Sequence, residues 1–443
     1  MSTRNFILLI IVLALIAIAV FVFLYLRKEP TPPADGGTGT NFTIPFGGGG
    51  GTTKPPVTTP PVDVPGDETP PVAEIPSGKL VKVSSMPIAG FTVFSKERMK
   101  EVTTAPAVDQ GLPLLKTKQK SPLTEFMPAL RYVAKATGNI YQTFADKIME
   151  RKFSGTIIPK VHEAYFGNRG ESVVMRYLKI DERTIETFAG ALPKELLGAE
   201  ITGNNEVKGY FLPNNVKDIS VSPDGKNMFY LFIAGSDSED NMIGTILNLL
   251  NNKKVQIFDS PFTEWLSGWE SGNTITLSTK PSSGVSGYMY TIDSTGKNLS
   301  RILGNINGLT VSGSPNGKLT LYGDNNLSLN VYHTDTRNSD VLGIKTLPEK
   351  CVWGKASDII YCAVPKLIGF GQYPDSWYQG EVSFNDQLWK VDIKTGNSVL
   401  LLDPAVIVGG EEIDGIKLVL DEGESYLLFV NKKDSFLWKL DLK

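Results

Sequence analysis

VSPDGKNMFYLF, residues 221–232, decides the fold. A polar Ser-Pro-Asp-Gly-Lys turn precedes an apolar run, and the turn glycine can take the positive φ that folds one strand back on another. The unit recurs as AYFGNRGESVVMRYL (164–178), LSGWESGNTITLS (266–278), VSGSPNGKLTLY (311–322) and LVLDEGESYLLFV (418–430). Short alternating runs bounded by Gly, Asn, Asp and Ser are a strand-and-turn signature. Gly170, Gly225, Gly272, Gly317 and Gly423 stand at these turns, and each is expected to supply the positive φ. A sixth copy, CVWGKASDIIYCAV (351–364), aligns without a gap and has Ala356 at the glycine position.

A second element follows most copies, an aromatic strand running into a D-x-x-T-G-like turn. It reads YMYTIDSTGKNLSRIL (288–303), SLNVYHTDTRNSDVL (328–342), QLWKVDIKTGNSVLLL (387–402) and FLWKLDLK (436–443). LRYVAKATGNIYQTF (130–144) is read as another instance and marks a further, degenerate unit near residues 79–150. Units of about 45–55 residues have the length of a four-stranded propeller blade. One interval, before the last copy, is longer and holds an insertion. The expectation is an all-β propeller over residues 79–443 with seven blades, six and eight being the alternatives. The chain stops after FLWKLDLK, so the strand closing the last blade is expected from the N-terminal side, over Leu80–Ser84. An unclosed ring would leave open sheet edges.

The two elements together resemble the TolB-type, WD-like propeller repeat, whose core reads S-P-D-G-K, an apolar strand, an aromatic strand and D-x-x-T-G. Ser222, Pro223, Asp224, Gly225 and Lys226 match it throughout, and Ser314, Pro315, Asn316, Gly317 and Lys318 match with one change. The resemblance covers roughly the last two-thirds of the chain. It implies a fold without an activity, because such repeats serve scaffolds, binding proteins and enzymes alike. The layout as a whole is similar to membrane-anchored bacterial propellers.

Ahead of the repeats, FILLIIVLALIAIAVFVFLYL (Phe6–Leu26) contains no charge, Gly or Pro. At 1.5 Å per residue it reaches about 30 Å, the thickness of a hydrocarbon core. Bulky Tyr25, Leu26 and Arg27 at its end do not suit signal cleavage, so residues 1–28 read as a single-pass transmembrane anchor. Residues 29–78 are rich in Pro, Gly and Thr, too poor in apolar surface to order, and read as a stalk. A spacer reaching on the order of 40 Å and a tolerated linker of no particular length both fit that composition. Arg4 before the anchor and Arg27 with Lys28 after it would by count leave the C-terminal side in the cytoplasm. Large domains translocate despite such small biases, and the stalk and cysteines suit the exterior, so an extracytoplasmic propeller is expected.

Net charge is −3 with no basic block, which excludes phosphate-backbone binding, so no nucleic acid partner is expected. Two histidines and two cysteines are too few for a Cys/His zinc site, and no metal or cofactor is expected. The stretch SDSEDN (236–241) lacks the glycine and the distal Glu of a calcium loop and reads as a solvated turn. No G-x-S-x-G elbow, phosphate loop or haem motif occurs.

Cys351 and Cys362 take the places of Ser220 and Leu231 in the hairpin alignment, read as facing positions on adjacent strands. At that separation they are within disulfide range; two small buried thiols are the alternative. Residues 365–387 are too long for a tight turn and carry Phe370, Tyr373, Asp375, Trp377, Tyr378, Glu381 and Phe384, with Asp386 after them. Long loops on rigid scaffolds bind ligands, and these seven form the candidate binding loop. The same rings could instead pack down as a satellite cluster. Arg131, Arg176, Asp218 and Glu264 are candidates to line a central channel, whereas adjacent His162 and Glu163 should face opposite sides of a sheet. The expected role is a membrane-tethered binding or scaffolding module for a protein, peptide or glycan. A carbohydrate hydrolase or lyase with carboxylates at the channel is one alternative, and a structural part of an envelope assembly is the other.

Overall fold

The computed structural model describes residues 79–100, 124–195, 205–236, 239–407 and 410–443. The expected anchor and stalk lie outside these residues. Among the described residues no helix is long and apolar enough to cross a membrane. They form seven four-stranded antiparallel sheets arranged as propeller blades. The inner strands, in blade order, are Ile88–Met99, Val161–Gly167, Val216–Val221, Trp265–Ser271, Thr310–Gly313, Cys351–Trp353 and Gly415–Leu420.

The alternating pattern explains the ring. A blade with apolar residues on both faces needs a neighbour on each side. Every junction between blades holds its own apolar cluster: Phe229 and Leu231 of blade 3 meet Trp269 and Leu277 of blade 4, and Leu321 and Val331 of blade 5 meet Trp353 and Val391 of blade 6. Blade 7 closes onto blade 1 through Leu428 and Val430 against Leu130 and Tyr132. The outer strand of blade 7 is Leu80–Lys82, paired Leu80↔Leu440, Val81↔Lys439 and Lys82↔Trp438. Ser84 Oγ accepts from Leu437 N at 2.9 Å just beyond it. Closure therefore comes from the expected segment.

The Ser-Pro-Asp-Gly-Lys turn has a clear physical basis. Asn227 N donates to Ser222 Oγ (2.9 Å) and Lys226 N to Asp224 Oδ1 (3.0 Å), while Gly225 takes φ 68°. Ser314, Asn316 and Gly317 repeat this arrangement. In two blades the left-handed residue is not the expected one: it is Ser357 (φ 60°) rather than Ala356, and Glu424 (φ 47°) rather than Gly423. The sixth copy is thus aligned one residue off by its sequence. Cys351 and Cys362 occupy the places of Ile219 and Tyr230, which do face one another, whereas Ser220 faces Phe229. A one-residue slip moves side chains to the other face, so the pairing was reached from a wrong register. The two cysteines form a disulfide with Cα atoms 4.1 Å apart. LRYVAKATGN also differs from expectation, since it joins the second and third strands of blade 1, not the third and fourth. Asn227–Ser236 pairs with Glu239–Asn248 as one hairpin.

The succession of strands gives the ring two faces. Turns from first to second and third to fourth strands make a hairpin face; second-to-third loops and the links between blades make a link face. The closing strand Leu80–Lys82 runs from the hairpin face toward the link face, because Leu80 pairs with the far end of Leu437–Asp441.

Candidate functional site

The inner strands place a charged group around the axis, mostly on blades 2, 3, 4 and 7. Glu163 pairs across the sheet with Arg176, whose Nη1 donates to Glu163 Oε2. Tyr165 OH donates to the same oxygen at 3.2 Å, and Arg176 Nη2 donates to Val216 O of the next blade at 2.5 Å. Asp218 Oδ2 accepts from Ser267 N (2.6 Å) and Ser267 Oγ (2.8 Å), tying blade 3 to blade 4. Lys417 Nζ donates to Ala89 O at 3.1 Å, tying blade 7 to blade 1.

Burial by itself would raise the Glu163 carboxyl, but the charges of Arg176 and Lys417 hold it below the usual range. Burial pushes Asp218 up to about 6 despite its bonds to Ser267, and pushes Glu270 up to about 7. Burial also lowers Lys417, with Lys135 and Arg176 adding to the effect. Lys417 nevertheless keeps an exposed surface, and Glu163, Asp218 and Glu270 stay partly accessible. Protein surrounds these charges on the inner strands while part of each side chain reaches solvent.

Of the four residues expected there, Arg176 and Asp218 are brought together. Arg131 is buried instead between the rings of Phe94 (5.3 Å) and Phe153 (4.0 Å), where Nη1 donates to Gly170 O and fastens blade 1 to blade 2. Glu264 lies outside on the surface, 3.1 Å from Lys280. Sequence reasoning missed Tyr165, Glu270 and Lys417 and set Glu163 aside. The alternation along the inner strands carries no sign of which residues a ring brings to its axis.

Asp218 gives a pH prediction. Its folded value lies above the ordinary 3.8, so between that value and about 6 the folded state holds a proton that the unfolded state releases. Its contribution to stability is therefore largest at low pH and declines as pH rises through this window. Asp218→Asn, which mimics the neutral acid, should gain in melting temperature relative to the parent as pH goes from 4 to 7. A difference that stays constant with pH would contradict this assignment.

The long loop of blade 6 divides its candidate residues. Tyr373, Trp377 and Phe384 are buried together with Leu327 and Leu347. Trp377 stacks on Phe384 with ring centroids 6.2 Å apart. A short helix, Asp375–Tyr378, crosses the link face: Asp375 Oδ2 accepts from Ser283 N of blade 4 (2.6 Å) and Trp377 O accepts from Lys432 Nζ of blade 7 (2.5 Å). Tyr378 OH donates to Glu349 Oε1. Phe370 and Glu381 stay exposed, and so does Leu367. Ile157, Ile180, Phe262 and Val285 are exposed apolar tips on the same face. Beside them a largely apolar hollow of about 470 Å³ is lined by Met86, Pro87, Ala134, Tyr141, Val161 and His162.

No family model and no curated protein matches the sequence. Among solved structures the chain is similar to an oligogalacturonate lyase in complex with manganese, at 10% identity over 71% of this chain and 85% of that one, with a TM-score of 0.49. An oligogalacturonate lyase from Vibrio parahaemolyticus is similar at 9% identity over 72% and 86%, with a TM-score of 0.48. TolB from Acinetobacter baumannii is similar at 13% identity over 70% and 61%, with a TM-score of 0.36. These proteins are β-propellers, as this chain is, and identities this low speak to the fold alone.

Proposed function

We propose that this TolB-like seven-bladed propeller is a binding module, held outside the cell by the Phe6–Leu26 anchor, and that its link face takes a protein, peptide or glycan. The observation that carries the reading is a set of exposed apolar side chains on the loops of the link face. Among the described residues Ile157, Ile180, Phe262, Val285, Leu367 and Phe370 stand on loops and links of that face. Apolar groups gathered at loop tips on a rigid scaffold are the usual material of recognition surfaces. The closing strand Leu80–Lys82 starts from the opposite face. The disulfide suits an oxidising compartment.

The test is saturable binding of the labelled propeller to intact cells and to isolated envelopes, with and without protease treatment. Leu367→Ser with Phe370→Ser should abolish binding while leaving the melting temperature unchanged, because both side chains already face solvent. No saturable binding, or equal binding by the variant, would end the proposal. Binding lost on protease treatment identifies a protein ligand, and binding that survives identifies a glycan.

A second reading, a carbohydrate hydrolase or lyase acting at the channel, draws support from Asp218 and Glu270. Burial lifts both carboxyls toward neutrality, as a general acid requires. Release of reducing ends from a polysaccharide by the parent, lost in Glu270→Gln, would favour it.

A further inference from the structure

Under the long loop lies a group of three ionisable side chains that neither the channel nor the binding surface uses. Lys350 ends the link into blade 6, Asp386 begins that blade's third strand, and Asp414 immediately precedes the inner strand of blade 7. All three side chains are 0% exposed, with Lys350 Nζ 2.7 Å from Asp386 Oδ2 and 2.5 Å from Asp414 Oδ1. The rings of Trp377 and Phe384 each stand 5.3 Å from Nζ and complete a buried enclosure.

The two carboxyls differ. Asp414 Oδ2 accepts from Trp377 Nε1 (3.0 Å), Ser383 Oγ (3.1 Å) and Phe384 N (3.0 Å). Burial would raise this group, but Lys350 and those donors hold it below the usual range, so it is the carboxylate. Asp386 is pushed up to about 6 by burial. Its Oδ2 accepts from Lys350 and from Gly415 N at 2.6 Å, while its Oδ1 is buried without a hydrogen-bond partner in the protein. One ammonium balances one carboxylate, and a second buried negative charge would be left uncompensated. Asp386 is therefore the more readily protonated of the two carboxyls, and its Oδ2 lies against Nζ of Lys350.

We propose that Lys350 and Asp386 condense to an intramolecular amide between Nζ and Cγ. One proton passes from the Lys350 ammonium to the Asp414 carboxylate, and the freed amine lone pair attacks Cγ of protonated Asp386. Negative charge builds on Oδ2, where Gly415 N–H already donates. As the tetrahedral intermediate collapses, the Cγ–Oδ1 bond breaks and Oδ1 leaves as water, carrying its own proton and a second from the nitrogen. The third nitrogen proton stays as the amide N–H, Asp414 keeps the first, and nothing is oxidised or reduced. The bond would lock the link into blade 6 to that blade's third strand, at the root of the loop that spans blades 4 to 7.

The full-length chain, extracted in detergent, reduced and denatured, should have a mass lower than its sequence mass by one water. Tryptic digestion should leave the bond after Lys350 uncut and yield a branched peptide joining Lys350 to Asp386. Lys350→Arg removes the nucleophile and should return the full mass. Asp414→Asn keeps both partners but removes the base, and should also return it. A parent chain of full mass, a branch at Asp414, or loss of water in the Asp414→Asn chain would each overturn the assignment. If either variant fails to fold, the mass and peptide map of the parent still decide the matter.

Discussion

Asp414→Ala is expected to destabilise the propeller by about 3–5 kcal/mol, the cost of leaving a buried Lys350 ammonium without its carboxylate partner. The alanine leaves Lys350, itself 0% exposed, facing Asp386 alone. It also strips the acceptor from Trp377 Nε1, Ser383 Oγ and Phe384 N, which hold the loop down. A buried donor without its acceptor costs about 1–3 kcal/mol. Denaturant unfolding of the parent and variant reads the loss as a lower midpoint. Lys160→Ala provides the contrast, because its partner Glu182 sits with it on the surface and such pairs contribute little. That control should not move the midpoint. An Asp414→Ala midpoint equal to that of the parent would mean that the loop is held by its aromatic packing alone.

Removing the closing strand is the second large effect. A chain beginning at Lys79 should keep the full stability of the propeller, and one beginning at Met86 should not. The shorter chain loses the pairing of Leu80–Lys82 with Leu437–Asp441, and also Val83, which is 3% exposed and packs with Leu428 and Leu437. Burial of such a side chain contributes about 1.5–3 kcal/mol, and the lost ladder bonds each add about 1 kcal/mol. Their sum is on the order of 5 kcal/mol. The edge exposed by the cut should also pair between molecules. Melting curves and light scattering on the two truncations test both effects. Equal melting temperatures without aggregation would show that the ring is held by its inter-blade clusters and does not depend on this strand.

Much of the architecture was legible along the chain. VSPDGKNMFYLF and its copies carry, within a dozen residues, the turn chemistry and the alternation that make a hairpin with two apolar faces. Such units cannot bury both faces alone, so repetition implies a closed ring. The blade number and the N-terminal closing strand follow from counting elements. The register of the sixth blade did not, because Ser357 adopts the left-handed conformation that the alignment assigned to Ala356. Only a glycine would have announced that position, and the blade has none there.

The candidate sites were less legible. Seven residues of the long loop were chosen for their chemistry, and packing then divided them: Tyr373, Trp377 and Phe384 turn inward, while Phe370 and Glu381 face solvent. Composition cannot make that division, since an aromatic ring suits a core and a binding surface equally well.

Local order in this protein is written in its local sequence, because strand and turn sterics act over a few residues. Convergence is not. Lys350, Asp386 and Asp414 meet across separations of 36 and 64 residues, and Glu163, Arg176, Asp218 and Lys417 meet only because seven blades close on one axis. Which polar side chains share a low-dielectric space, and so which are charged, is set by that closure and by the loop folded over it.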